Sequence, residues 1–62
     1  MNKPVCVLSG EDGNVFNIIG RVSKALKKAE QKDKAKEFTQ KAFNSESYDA
    51  VLQLAMQYVE IE

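Results

Sequence analysis

The chain has 62 residues, of which 44% are apolar and 29% charged, and its formal net charge at pH 7 is zero. This composition is typical of one folded domain, here residues 1–62, and not of a disordered chain. A single cysteine and the lack of histidine exclude an intrachain disulfide and the zinc sites that combine cysteine with histidine.

A domain of this length buries only about 60% of the surface that its unfolded chain exposes, so a second subunit is one way to supplement its core. The apolar run near the N-terminus covers residues 5–8, whereas a signal peptide needs about 7–15 apolar residues and a membrane span about 20. The unpaired cysteine fits a reducing compartment. We therefore expect a cytoplasmic protein that has no membrane contact.

The charges are distributed unevenly along the chain. Residues 20–41 contain eight basic and three acidic side chains, which gives this segment a net charge of +5. The segment after position 41 contains four acidic side chains and no basic one. The neutral total therefore conceals a basic middle and an acidic C-terminal part.

The N-terminal part predicts a strand followed by a turn. Residues 4–8 are apolar and include two valines, and Pro4 occupies the first position, where a strand tolerates proline. Residues 9–14 contain two glycines together with Asp12 and Asn14, a composition typical of a turn.

The clearest predicted helix begins after this turn. Its apolar residues recur at spacings of three and four and form one stripe of Val15, Ile18, Ile19, Val22, Ala25, Leu26 and Ala29. Arg21, Lys24 and Lys28 fall on the opposite face. Asn14 is the expected N-cap of this helix.

A second helix is predicted over residues 33–43. Its apolar face consists of Ala35, Phe38, Thr39 and Ala42. Asp33 is the candidate cap. Neither glycine nor proline separates Ala29 from Asp33, so a single kinked helix is an alternative to two helices.

The last third of the chain predicts a third helix and a strand. Ser45 or Ser47 can cap the helix, whose stripe is Tyr48, Val51, Leu52 and Ala55. Residues 58–62 alternate apolar and acidic, which favours a half-buried strand with Val59 and Ile61 on one side. The expected fold is α+β and mostly helical, with three helices and short N- and C-terminal strands in the order β-α-α-α-β, and with the paired chain ends packed on the helices.

The segment GEDGNVFNIIGRV at positions 10–22, the pair Tyr48-Asp49 and the ending YVEIE resemble a group of short, uncharacterised bacterial and phage-type proteins. That group shares a G-E-D-G-N-x-F-x-I-x-G-R-V core and an aromatic-V-E-[VI]-E ending, and the similarity covers most of the chain. The group has no assigned activity, so the resemblance implies no chemistry. Its members carry glycine where this chain has Glu30, which leaves the helix break near Glu30 open.

The first candidate functional group is the turn formed by Glu11, Asp12, Gly13 and Asn14. A glycine-containing turn that opens a helix can hold phosphate, and carboxylate and amide oxygens can hold a divalent cation. This turn lacks the spacing of a P-loop or a dinucleotide fingerprint, and it is shorter than a calcium loop of about 12 residues. A solvated turn that holds neither a cofactor nor a metal is therefore favoured.

The second candidate is a basic helix face formed by Arg21, Lys24, Lys27 and Lys28. Such a face could contact nucleic-acid phosphates without a specific motif. The single arginine, the lack of interleaved aromatic residues and the neutral net charge favour a solvated face instead. Attraction between the basic middle of one copy and the acidic part of another is a comparable alternative.

Gly20 and the aromatic residues bear on packing. Glycine inside a helix costs about 1 kcal/mol relative to alanine, so we expect Gly20 to pack closely within the chain or between subunits, with a ligand contact as the alternative. All five aromatic residues and Cys6 are expected in the core, where the thiol is inert. Joint exposure of Phe43 and Tyr58 would instead indicate an interface.

Enzymatic activity is not expected, because histidine, the usual proton carrier near neutral pH, is missing. The sequence favours a small non-enzymatic protein-interaction module whose partner is a second copy or another protein, with no small-molecule ligand. The alternative is an accessory protein that binds nucleic acid weakly and without sequence preference through its lysine-rich helix face.

Overall fold

The computed structural model describes residues 3–8 and 14–62. Along these residues the elements follow the predicted order β-α-α-α-β. Their bounds are β1 Val5–Cys6, α1 Val15–Lys28, α2 Lys32–Phe43, α3 Tyr48–Ala55 and β2 Glu60–Ile61. The chain is therefore a small α+β domain in which helices predominate.

The two short strands lie side by side and run in parallel. Val5 is opposite Glu60, and Cys6 is opposite Ile61. Parallel neighbours need a crossover connection, which the three helices provide. The pairing of the two chain ends, expected from the sequence, is confirmed.

The predicted C-terminal strand is too long. β2 contains only Glu60 and Ile61, because the N–H groups of Tyr58 and Val59 both donate to the carbonyl of Ala55, each at 2.9 Å. These two residues therefore continue the end of α3. This turn explains why both are buried, although neighbours in a strand would point to opposite sides.

α1 forms as predicted, with Asn14 as its N-cap. The N–H of Phe16 donates to Oδ1 of Asn14 at 2.9 Å. The buried residues of α1 all belong to the predicted stripe and are Ile18, Ile19, Val22 and Leu26. This stripe directs α1 onto the core.

α1 and α2 are separate helices, so the alternative of one kinked helix is wrong. Glu30 lies between them in the left-handed conformation, with a φ angle of 62°. The N–H of Gln31 donates to the carbonyl of Leu26 at 2.8 Å, and the N–H of Glu30 donates to the carbonyl of Lys27 at 3.0 Å. This pair of bonds is a Schellman C-cap, which ends α1 without a glycine.

The starts of α2 and α3 differ in how they are capped. α2 begins at Lys32, so the N-cap is Gln31 and not the predicted Asp33, and the Gln31 side chain makes no capping hydrogen bond. Asp33 lies in the first turn, where its negative charge suits the positive end of the helix dipole. At α3, the N–H of Ala50 donates to Oγ of Ser47 at 3.1 Å, so Ser47 is the cap.

The core lies between the three helices and the sheet. Its buried residues are Cys6, Ile18, Ile19, Val22, Leu26, Ala35, Phe38, Ala42, Val51, Ala55, Tyr58 and Val59. Phe38 is fully buried, and its ring packs edge-to-face on Tyr58 with centroids 5.5 Å apart. Every element thus contributes to one apolar cluster, either directly or, for β2, through the half-buried Ile61.

Candidate interaction surfaces

Three aromatic side chains lie together on the surface. Phe16, Phe43 and Tyr48 are 65%, 60% and 40% exposed, and the rings of Phe16 and Phe43 contact each other with centroids 6.0 Å apart. All three line one shallow groove of about 320 Å³, called the aromatic groove below. The expectation of a core position is therefore wrong for these three residues and confirmed for Phe38 and Tyr58.

The aromatic groove forms where three helix ends meet. Phe16 is in the first turn of α1, Phe43 is the last residue of α2 and Tyr48 is the first residue of α3. The buried Val51 and the exposed Glu46 also line the groove. Each aromatic residue therefore lies at one end of its own helix.

A signal in the sequence could have revealed the exposure of Phe16. It directly follows Val15, which belongs to the stripe, and successive side chains of a helix point about 100° apart. At this angle per residue, Phe16 lies about 100° around the helix axis from the centre of the stripe formed by Ile18, Ile19, Val22 and Leu26, so its ring points to the side of the core.

Gly20 is exposed and lies one helical turn after Phe16. A Cβ atom added at Gly20 would meet no atom of residues 3–8 and 14–62 within 4 Å. Packing against another of the described residues is therefore wrong as the reason for this glycine. A contact with a second subunit or with a ligand stays a prediction.

The structure divides the predicted basic face into two parts. Arg21, Lys24 and Lys28 line a cleft of about 700 Å³ between α1 and β1, called the basic cleft below. Nη1 of Arg21 donates to the carbonyl of Val7 at 3.4 Å. Lys27 lies elsewhere, in a hollow at the turn between α1 and α2 that other lysines also line.

The strand β1 forms the second wall of the basic cleft. Val5 and Val7 line it and are 48% and 53% exposed. Ala25 of α1 and Ala29, the C-cap residue of α1, also line it. Because these alanine side chains are short, the space between the strand and the helix stays open.

The predicted functional turn lies mostly outside the described residues, which do not include Glu11, Asp12 and Gly13. Asn14 is described, and its side chain caps α1. Within residues 3–8 and 14–62, no three or more His, Cys, Asp or Glu side chains form a group that could hold a metal ion. Asn14 therefore has a structural role in helix capping.

A polar link joins α2 to the segment after α3. The hydroxyl of Tyr58 donates to Oε2 of Glu37, and Nζ of Lys41 lies 3.8 Å from the same oxygen. The hydrogen bond from Tyr58 and the charge of Lys41 lower the pKa of Glu37. Burial and the hydrogen bond to Glu37 raise the pKa of Tyr58. The link therefore favours an ionised Glu37 and a neutral Tyr58.

Cys6 is buried in the sheet, as expected. Burial raises the pKa of its thiol more than the positive charge of Arg21 lowers it. The reactive species of a cysteine is the thiolate, and a raised pKa disfavours that form. The structure thus gives Cys6 the environment of a packing residue.

Within the described ranges, every helix is too short or too polar to cross a bilayer. Comparison with known proteins gave no match to a family model, a curated protein or a solved structure.

Proposed function

We propose that this chain is a small non-enzymatic protein-interaction module that self-associates through the aromatic groove. The observation that carries the proposal is the joint exposure of Phe16, Phe43 and Tyr48 on one surface. Large apolar side chains scattered singly over a surface are ordinary, whereas a contiguous patch marks an interaction site. Aromatic residues are also enriched in the centres of protein interfaces.

A second copy is the partner that the surrounding surface fits best. Along α1, Phe16, Gly20 and Lys27 follow the spacing i, i+4, i+11 and share one face. This face starts at the aromatic groove, continues over the bare backbone of Gly20 and ends at the hollow that Lys27 lines. A second helix can approach closely at a glycine, because no side chain separates the two backbones.

The charges favour an antiparallel arrangement of two copies. The groove end of the face is lined by Glu46, whereas the hollow at its other end has a net charge of +1 from three lysines and two acidic residues, which are Lys27, Lys32, Lys34, Glu30 and Asp33. A two-fold axis near Gly20 would place the acidic end of one copy beside the basic end of the other. Each copy thus presents the same self-complementary patch, as a symmetric dimer requires.

The size of the molecule permits such a dimer. Its accessible surface is 4350 Å², and a standard interface covers about 800 Å² of each partner, which is roughly a fifth of that surface. Burial of the groove would also supplement a core that is small for an independent domain. The buried, unpaired Cys6 fits a reducing compartment, so we propose a cytoplasmic location.

Analytical ultracentrifugation at several protein concentrations and low salt tests self-association. We expect a concentration-dependent dimer that Phe16→Ser and Phe43→Ser each weaken by at least about tenfold in dissociation constant, since aromatic residues at the centre of an interface dominate its energy. Met56→Ser is the matched control, because Met56 is 47% exposed and lies outside the groove. A monomer at the highest concentration, or an equal effect of all three substitutions, contradicts the proposal.

A second candidate function is weak nucleic-acid binding that has no sequence preference. The convergence of Arg21, Lys24 and Lys28 on one cleft favours it, because clustered cations release counterions from a phosphate backbone. Titration with single-stranded DNA and RNA at low salt tests this function. Micromolar binding that weakens steeply with salt supports it, and the lack of binding at micromolar protein removes it.

A further inference from the structure

The edge of β1 that faces away from β2 offers a second surface for binding, which does not depend on self-association. The carbonyls of Pro4 and Cys6 accept from the N–H groups of Glu60 and Glu62 at 2.9 and 3.0 Å, and the N–H of Leu8 donates to Glu62 at 2.7 Å. Backbone groups along a strand alternate between its two edges. The groups of Val5 and Val7 therefore point away from β2, towards the basic cleft.

This edge is available for pairing within the described part of the chain. The described residues give the N–H groups of Val5 and Val7 no hydrogen-bond partner, and the carbonyl of Val7 accepts only the long bond from Arg21. Pro4 does not block the edge, because its backbone groups point to the β2 side. An unpaired strand edge of this kind is a template for a further strand.

The cations of the basic cleft match the repeat of an extended peptide. Arg21, Lys24 and Lys28 are spaced by three and four residues, which is about 4.5–6 Å along a helix. Alternate residues of a strand are about 6.6 Å apart. Carboxylates at every second position of an added strand can therefore meet successive cations of α1, while the intervening side chains lie beside Val5 and Val7 on the outer side of the sheet.

We propose that the basic cleft binds an extended peptide segment of a partner protein, with acidic and apolar residues alternating, as a third strand beside β1. Main-chain hydrogen bonds to Val5 and Val7 would provide affinity, and the cations would select the acidic residues. Edge-to-edge pairing of two copies of β1 is disfavoured, because it would bring two sets of cations together.

The test uses the intact, ¹⁵N-labelled chain and an end-blocked peptide of about eight residues that alternates glutamate and valine. We expect saturable binding by calorimetry and slower amide hydrogen exchange at Val5 and Val7. The double variant Lys24→Glu, Lys28→Glu should weaken binding by at least about tenfold. The matched control, Lys34→Glu with Lys36→Glu, changes the net charge equally on α2 and should leave the affinity within about twofold.

A peptide of the same sequence with every backbone amide N-methylated cannot pair as a strand on either edge and should not bind. Equal binding of both peptides, or no binding of the parent peptide, overturns the proposal. The proposal would also be overturned if single-stranded DNA displaced the bound peptide at a lower concentration than unbound peptide does. That result would assign the cleft to nucleic acid. The Lys24→Glu, Lys28→Glu variant should still self-associate in ultracentrifugation, because self-association depends on the aromatic groove. A loss of peptide binding is thereby distinguished from a loss of self-association.

Discussion

Glu30 is held in the left-handed backbone conformation that ends α1. A residue with a Cβ atom pays about 1–2 kcal/mol there, and glycine does not. We expect Glu30→Gly to raise the free energy of unfolding by about 1 kcal/mol, and the melting temperature by about 4–8 °C. Urea denaturation followed by circular dichroism measures the change. Glu30→Ala keeps a Cβ atom and removes the charge, so a similar gain from alanine would contradict this explanation.

Gly20 presents the opposite case, a glycine in a regular helix with open space around it. Alanine at this position should raise the free energy of unfolding by about 1 kcal/mol, since it reduces the backbone freedom of the unfolded chain. The measurement is a urea denaturation at a protein concentration low enough for the monomer. Unchanged or reduced stability would show that the helix backbone at Gly20 cannot accept a methyl group.

The link between Tyr58 and Glu37 makes stability depend on pH at both extremes. The pKa of Glu37 is lowered in the folded chain, so its contribution is present above the ordinary pKa of about 4.3 and is lost as the pH falls through the folded value. The pKa of Tyr58 is raised, so its contribution is present below about pH 10 and is lost as the pH rises further.

Replacement of Tyr58 by phenylalanine tests this pH dependence. The urea midpoint is measured from about pH 3 to 11. In this variant it should fall less at alkaline pH and less at acid pH than in the original chain. Tyr48→Phe is the control, because the Tyr48 side chain lies in the aromatic groove, which Glu37 does not line. An unchanged pH profile of the Tyr58→Phe variant would contradict the link.

At the scale of the helices, the cap of α3 carries a measurable share of stability. Oγ of Ser47 accepts the N–H of Ala50, so Ser47→Ala should lower the free energy of unfolding by about 1 kcal/mol. Ser45→Ala is the matched control, since its hydroxyl donates to the exposed carbonyl of Lys41 at the end of α2. Equal losses from both variants would show that the cap is not the cause.

The elements that the sequence predicted correctly are those with a periodic pattern and a local cap. The stripe of α1 and the Asn14 cap depend on neighbours within a few residues, so they can be read from the chain. The left-handed conformation of Glu30 could not be predicted in this way, because its side chain gives no preference for that conformation. The Schellman bonds form only after α1 and α2 exist.

The surfaces were less predictable than the elements. The basic residues were identified, yet their division between two sides of α1 depends on where β1 and α2 pack against that helix. The parallel pairing of β1 with β2 is tertiary as well, and it alone determines which backbone groups of β1 face the cleft. The type of each side chain is known from the sequence, whereas the residues that surround it depend on the fold.

For the whole molecule, stability depends on a small core around Phe38. A chain of this length has a free energy of unfolding of about 3–9 kcal/mol, and Phe38→Ala should remove about 3–5 kcal/mol, because this ring is fully buried. Urea denaturation followed by circular dichroism should show this loss as a lower midpoint. Phe43→Ala makes the same chemical change at a 60% exposed site and should keep the helical spectrum. An equal loss from both would contradict the assignment of the core.

The parallel arrangement of the two chain ends has a mechanical consequence. Because both strands run the same way, the entry to β1 and the exit from β2 lie at opposite ends of the sheet. A force that pulls residue 3 away from residue 62 therefore slides the strands past each other and loads their hydrogen bonds together, whereas a hairpin pulled by its ends opens one bond at a time. The paired chain ends thus resist stretching until the hydrogen bonds between the two strands break together.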